Sequence, residues 1–260
     1  MSFNAIKPPV RTEVRSGVLV ITIDREEAGN SVSLDTALAM REALQAALAQ
    51  DDMRGIVITG AGKRFFCSGG DLKAYSAIAT KDELVSTFGA VRDLLNDMEN
   101  YALPIVAAIN GYALGGGAEL ALACDLRFAD ASAKMGFPQS RLGLIPGWNG
   151  TERLVRTVGR SKAMRLLLTA ERLAATEAVA AGLIDGISEG DVVGHAVDFL
   201  TRLPAAPLAL AAVKRAVCAS SSVNAAAINA EIFENLWFTE DHREAEKAFA
   251  EKRDPVFRGR

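Results

Sequence analysis

Apolar and polar positions change period along the chain, and the changes divide it. Residues 11–15 and 18–24 are β-rich runs separated by Ser16-Gly17, the pattern of a hairpin. From 34 to 49, Leu34, Ala37, Leu38, Leu44 and Leu48 recur at helical spacing. Residues 55–59 are a short apolar run bounded by glycines, and 104–109 are another, ended by Asn110-Gly111. Both predict buried strands, with a polar helix over 81–101 between them. Strand, crossover helix and apolar strand together predict a parallel sheet covered on both faces. After about Gly147 the periodicity is helical: 151–158, 161–169, 176–181, 191–202 and 208–219, with Ser161, Thr176 and Asp191 placed as caps. Residues 223–250 continue the pattern with a break near Thr239-Glu240-Asp241. No repeat, low-complexity linker or Pro/Gly/Ser-rich hinge separates the halves. The expected fold class is α/β, a β/α core followed by a helical C-terminal region packed on the core or on a neighbouring subunit.

Composition narrows the function. At 260 residues the chain has room for one large or two small domains, and its 50% hydrophobic content supplies a core without disulfides. Cys67, Cys124 and Cys218 are odd in number, widely spaced and form no CxxC pair, so reduced thiols are expected, with no disulfide framework and no metal site. Lys and Arg number 29 against 32 Asp and Glu, a net charge of −3 with no basic patch, which argues against a nucleic-acid partner. The opening MSFNAIKPPV has neither a basic n-region nor an apolar h-region. No uncharged run reaches the ~20 residues that span a bilayer. The expectation is a soluble cytoplasmic enzyme with no membrane partner.

There is no GxSxG elbow, no HExxH and no Walker loop. The two histidines, His195 and His242, sit in an amphipathic helix and a charged stretch. The run from Gly60 to Phe65 lacks the third glycine of a dinucleotide fingerprint and continues as an extended segment. Two glycine clusters remain: Ser68-Gly69-Gly70-Asp71 after a strand, and Gly115-Gly116-Gly117 running from a strand into a helix. Glycines of this kind make turns and allow close packing. They also expose backbone N–H groups, and two such donors around a carbonyl oxygen form an oxyanion hole. Glu119 stands three residues after Gly116, among Ala118, Leu120, Ala121, Leu122 and Ala123, so it is expected to be buried. A carboxylate there is either a dipole partner or a catalytic acid/base. Burial raises its pKa and the helix N-terminus lowers it, and the sequence does not decide between them.

These residues resemble a family. Phe66-Cys-Ser-Gly-Gly-Asp-Leu72 is similar to the FCAGADL segment of the enoyl-CoA hydratase/isomerase (crotonase) superfamily. Asn110-Gly-Tyr-Ala-Leu-Gly-Gly-Gly-Ala-Glu-Leu120, with Cys124-Asp125 after it, resembles the second glycine segment. Leu142-Gly-Leu-Ile-Pro-Gly147, Gly150-Thr-Glu-Arg-Leu154, Ala181-Gly-Leu-Ile-Asp185, Glu240-Asp-His-Arg-Glu and Phe249-Ala-Glu-Lys-Arg253 fit in order, so the resemblance covers nearly the whole chain. It implies a ββα spiral core over 1–200 and a helical trimerisation region over 201–260. It further implies a homotrimer or hexamer acting on acyl-CoA thioesters, with coenzyme A as part of the substrate and no cofactor. The oxyanion donors would be Gly70 and Gly116, with Gly70 in place of a common alanine. Ser68, Gly70, Asp71, Leu72 and Lys73 would lie along the CoA chain. Phe249 and Lys252 match positions that help cover CoA, in some members from a neighbouring subunit; packing and a solvated charge account for them equally well.

Hydratases of the family use two glutamates. Glu119 matches the first, and twenty residues on (139 − 119) the second is replaced by Gln139. An amide orients water but does not shuttle a proton at neutral pH. Trp148 stands where hydratases carry a small residue, and either narrows the acyl pocket toward short or branched groups or packs under a loop. The reading that follows is a lyase of enoyl-CoA hydratase type, with Glu119 as acid/base and Gln139 orienting water or substrate. Decarboxylation or thioester hydrolysis is the alternative chemistry on the same scaffold, and a non-catalytic acyl-CoA-binding subunit the third reading.

Overall fold

Between residues 55 and 169 each winding of the chain lays one strand in a large sheet, one in a small sheet, and then a helix. The computed structural model describes residues 7–50 and 52–260. The segment in which a secretory signal would stand opens with residues 1–6, which lie outside that range. Strands β1 (Val10–Arg15) and β2 (Val18–Ile23) form the expected antiparallel hairpin and lead into helix α1 (Leu34–Leu48). The first winding is β3 (Gly55–Gly60), β4 (Phe65–Cys67), α2 (Leu72–Tyr75) and α3 (Lys81–Glu99). The second is β5 (Ile105–Ile109), β6 (Tyr112–Leu114) and α4 (Gly116–Leu122). The third is β7 (Leu126–Asp130), β8 (Lys134–Gly136), a 3-10 turn over Pro138–Leu142 and α5 (Gly150–Thr169). Then come β9 (Arg172–Ala174), α6 (Ala175–Ala181), β10 (Gly186–Ser188) and α7 (Val192–Thr201), and finally α8 (Pro207–Ala219), α9 (Ala225–Trp237) and α10 (Glu240–Glu251).

The large sheet runs β1-β2-β3-β5-β7-β10 and the small one β4-β6-β8-β9. Beyond the hairpin the large sheet is parallel, and in the small sheet only β8 and β9 are antiparallel. Strands β2, β3 and β5 are buried end to end because both faces of the large sheet are covered. One face packs Ile21, Ile56, Ile58 and Ile105 against Met40 and Leu44 of α1 and Leu94, Leu95 and Met98 of α3. The other packs Val18, Val20, Val57 and Val106 against Val192, Ala196, Val197 and Leu200 of α7.

The leucine pattern of α1 misplaces its inner face. Ala37, Met40, Leu44 and Ala47 are the buried stripe, whereas Leu34, Leu38 and Leu48 are exposed. Spacing by three and four puts the small and flexible side chains against α3, and leucine identity does not override that geometry. Asp191 caps α7, its Oδ1 accepting from Gly194 N at 3.0 Å. Thr176 lies inside α6 and caps nothing; Glu177 instead accepts from the Ala174 N–H at 2.8 Å. Ser161 likewise lies within α5, beyond a break at Gly159 (φ 79°, ψ 162°) that separates the two helices expected there. The C-terminal break falls between α9 and α10 as expected. No helix among the described residues is long and apolar enough to cross a membrane.

Helix α8 docks on the core through a buried cation. Lys214 is its one buried residue, and its ammonium reaches Met98 O (2.9 Å), Leu103 O (3.1 Å) and Asp125 Oδ2 (2.8 Å). The same Asp125 oxygen accepts from Ile105 N at 2.6 Å, so one ion pair fixes the end of α3, the start of β5 and α8. Replacing Lys214 with methionine keeps the length but leaves two carbonyls and a desolvated carboxylate without their donor. The expected loss is about 3 kcal/mol or more, read as a lower urea midpoint.

Candidate active site

Strands β4 and β6 are parallel neighbours, with Phe65 opposite Tyr112 and Cys67 opposite Ala113. Their C-terminal ends therefore deliver the two glycine clusters to the same place. Gly69 has φ +114°, a region closed to other residues at this cost, and a Cβ there would stand 3.1 Å from the Gly116 nitrogen. Gly117 is closer still: a Cβ on it would fall 1.9 Å from the Cys67 carbonyl oxygen. Gly69, Gly115 and Gly117 are buried, while Gly70 and Gly116 keep partial exposure. Gly116 is the first residue of α4, so its N–H has no acceptor within the helix. Around Gly70, Val32 N donates to Gly69 O and Asp71 N to Val32 O, leaving the Gly70 N–H between them unused. Among the described residues neither amide has a protein acceptor.

Glu119 lies one turn into α4 and is 2% exposed. Its Oε2 accepts from Trp148 N (2.7 Å) and Gly150 N (2.9 Å), and its Oε1 from Gln139 Nε2 (3.0 Å). Burial raises its pKa above the ordinary 4.5, and the donors from Trp148, Gly150, Gln139 and Gly147 only partly offset it. Desolvation thus outweighs the four donors that face the carboxylate.

Gln139 arrives on the 3-10 turn after β8, which pairs with β6 and so brings that turn beside α4. Its amide nitrogen serves Glu119, and its Oε1 is buried without a partner. The Gly147–Gly150 loop is clamped from behind. Arg153, 2% exposed, donates to Trp148 O (2.6 Å), Asn96 Oδ1 (2.9 Å) and Glu99 Oε2 (2.7 Å), and Arg92 donates to Gly147 O (3.3 Å).

Of the other residues singled out in the sequence, Trp148 is buried with its indole laid on Gly116. Ser68 is half-buried, its hydroxyl donating to Ala28 O at 3.5 Å. The Asp71 carboxylate caps α2 by accepting from Ala74 N (3.1 Å) and pairs with Arg25 (2.7 Å), which holds its pKa below the ordinary range. Leu72 and Lys73 are exposed on α2. Phe249 is 88% exposed and Lys252 is exposed at the end of α10, so within one chain neither joins the cluster. His195 stands edge-on to Phe128 on α7 and His242 packs on Trp237, both outside it. Cys67 is fully buried, and burial pushes its thiol up to about 12, so it is no nucleophile at neutral pH.

Three residues of the site were not singled out in the sequence. Tyr75 packs on Gly70, Phe88 on Gly147, and Arg153 holds the Trp148 carbonyl. Phe88 was visible as an aromatic residue within a polar helix. A buried arginine carries no pattern that distinguishes it from an exposed one.

Two unpaired N–H groups and a carboxylate with a raised pKa, one donor and the carboxylate sharing a helix turn, are suited to hold an oxygen anion while a proton moves beside it. The winding of two sheets and helices around paired glycine loops is that of a crotonase-type ββα spiral. The chain belongs to the enoyl-CoA hydratase/isomerase family, whose model matches residues 13–260. It is 36% identical over 256 residues to the (E)-benzylidenesuccinyl-CoA hydratase of Thauera aromatica, across 96% of this chain and 99% of that one. It is 37% identical over 249 residues to the 2,3-dehydroadipyl-CoA hydratase of Escherichia coli, across 94% and 96%. The crystal structure of an enoyl-CoA hydratase from Bacillus anthracis superimposes with a TM-score of 0.92 at 31% identity, covering 97% of this chain and 100% of that one.

Proposed function

We propose that this protein adds water across the α,β double bond of an enoyl-CoA thioester using a single carboxylate. The observation that carries the reading is the orientation of Gln139: its nitrogen binds Glu119 and its buried Oε1 remains an acceptor beside that carboxylate. A water that donates one hydrogen to Glu119 and the other to Gln139 Oε1 keeps a lone pair for the β-carbon. Its oxygen bonds there while Glu119 takes the proton. Charge moves onto the thioester oxygen, held by the N–H groups of Gly70 and Gly116. Glu119 then returns the proton to the α-carbon, because the amide of Gln139 cannot carry it. Oxygen and proton are thus delivered from the same side.

Ser68, Asp71, Leu72 and Lys73 flank the donor at Gly70 and are assigned to the CoA chain, Asp71 by fixing the loop through Arg25. Phe249 and Lys252 are assigned to covering CoA across a subunit boundary in a homotrimer or a pair of trimers. Val213, Val217, Phe233 and Phe238, exposed on and just after α8 and α9, supply apolar surface for that assembly. The steps call for no metal or redox cofactor.

The test is crotonyl-CoA hydration, followed by loss of the enoyl-thioester absorbance. Turnover is expected. Tight binding of an acyl-CoA without turnover would sink hydration and favour decarboxylation or hydrolysis of malonyl-type thioesters, a reading that the missing second carboxylate at Gln139 also supports.

A further inference from the structure

Each of the two donor glycines has an aromatic ring where its side chain would be. A Cβ on Gly70 would fall 2.2 Å from Tyr75 Cε2, and a Cβ on Gly116 would fall 2.4 Å from Trp148 Cζ3. The rings are tied to each other from behind. Tyr75 packs on Phe88 with centroids 4.8 Å apart, and Phe88 Cε1 would lie 2.8 Å from a Cβ on Gly147, the residue before Trp148. The contacts therefore close a circuit, Gly70 to Tyr75, Phe88, Gly147, Trp148 and Gly116. Neither ring is free to swing at its base. Tyr75 ends the short helix capped by Asp71, and its hydroxyl donates to Val32 O at 3.5 Å. Trp148 has its N–H on Glu119 and its carbonyl on Arg153.

We infer that Tyr75 and Trp148 form an aromatic stop that limits the substrate to a short, crotonyl-sized acyl group. The inference rests on the proposed placement of the thioester oxygen between Gly70 and Gly116. On that placement the acyl chain is taken to pass Glu119 and Gln139 and to continue toward the two rings that pack on the donors. The glycine at position 70 belongs to the same device, since an alanine methyl would need the space Tyr75 fills. Space lost by even one methylene in a packed pocket costs about tenfold or more in discrimination.

Binding of saturated thioesters tests the stop without relying on turnover. Titration calorimetry with butyryl-CoA and decanoyl-CoA is expected to show wild type favouring butyryl-CoA by about tenfold. Tyr75→Ala and Trp148→Ala should each abolish that preference by tightening decanoyl-CoA about tenfold, so that the two thioesters bind alike. Circular dichroism confirms folding, and Tyr75→Ala carries the test if the indole proves necessary for the loop. Equal or tighter binding of decanoyl-CoA by wild type would overturn the stop while leaving the hydratase reading in place. Binding of neither thioester would overturn both. A wild type that binds butyryl-CoA selectively but fails to hydrate crotonyl-CoA would support the stop and sink only the hydration.

Discussion

Glu119→Gln is expected to lower turnover of an enoyl-CoA by about 10³-fold, within the range for loss of a general acid–base, while acyl-CoA binding survives. The substitution is nearly isosteric, and the fold should tolerate it. The new amide can keep its oxygen toward the Trp148 and Gly150 N–H groups. Its nitrogen then faces Gln139, which has an unpartnered oxygen to offer by turning its own amide over. What disappears is the one group in the cluster able to take a proton from water. Kinetics across pH gives a second signature. Because burial raises the Glu119 pKa above 4.5, the base form fills only above that value, and kcat/KM should rise with pH along an acid limb placed higher than for an exposed glutamate. Stability runs the other way. Between 4.5 and the raised value the native state holds a proton that the unfolded chain has released, so wild type loses stability as pH rises through that window. Glu119→Gln should lack both the limb and this loss. A variant that retains wild-type turnover would remove Glu119 from the chemistry.

Gly117→Ala is expected to be the most damaging single methyl in the chain. The added Cβ would meet the Cys67 carbonyl oxygen at 1.9 Å, and that oxygen belongs to the backbone of a strand held by β6. No rotamer relieves the overlap, so α4 must move away from β4, carrying Gly116 and Glu119 with it. A cost of about 3 kcal/mol or more is expected, with loss of thioester binding as the two donors separate. Gly89 is the matched control. It lies inside α3, and a Cβ there meets nothing within 4 Å, so Gly89→Ala should stabilise the protein by up to about 1 kcal/mol. Urea midpoints of the two variants give the comparison, and a Gly117→Ala protein as stable as wild type would mean that the helix and strand are not in rigid contact.

Much of this was legible before the structure. Continuous apolar strands announced a sheet covered on both sides, and the break at Gly159 and the turn between α9 and α10 showed in the periodicity. The glycine clusters and the buried Glu119 were readable because their chemistry is local: a strand end, a helix start, a carboxylate among alanines and leucines. What was not legible is long-range. The inner face of α1 is chosen by its fit to α3 rather than by its leucines. Lys214 looks like any helix lysine until Asp125, Met98 and Leu103 converge on it. Tyr75 and Arg153 acquire their roles only when the windings bring residues far apart in sequence onto the same loops. The sign of the Glu119 shift needed the count of donors against the depth of burial.

Helix α4 acts as a ruler. Gly116 and Glu119 are separated by three helical steps, roughly 4.5 Å along the axis, and no loop motion alters that interval. Residues 138–149, by contrast, lie on a turn and a loop and set what stands opposite the carboxylate. The fixed and adjustable parts of the cluster are therefore carried by different stretches of chain. On the proposed reading, substitutions at positions such as 139 and 148 would alter substrate or reaction while leaving the spacing of Gly116 and Glu119 intact.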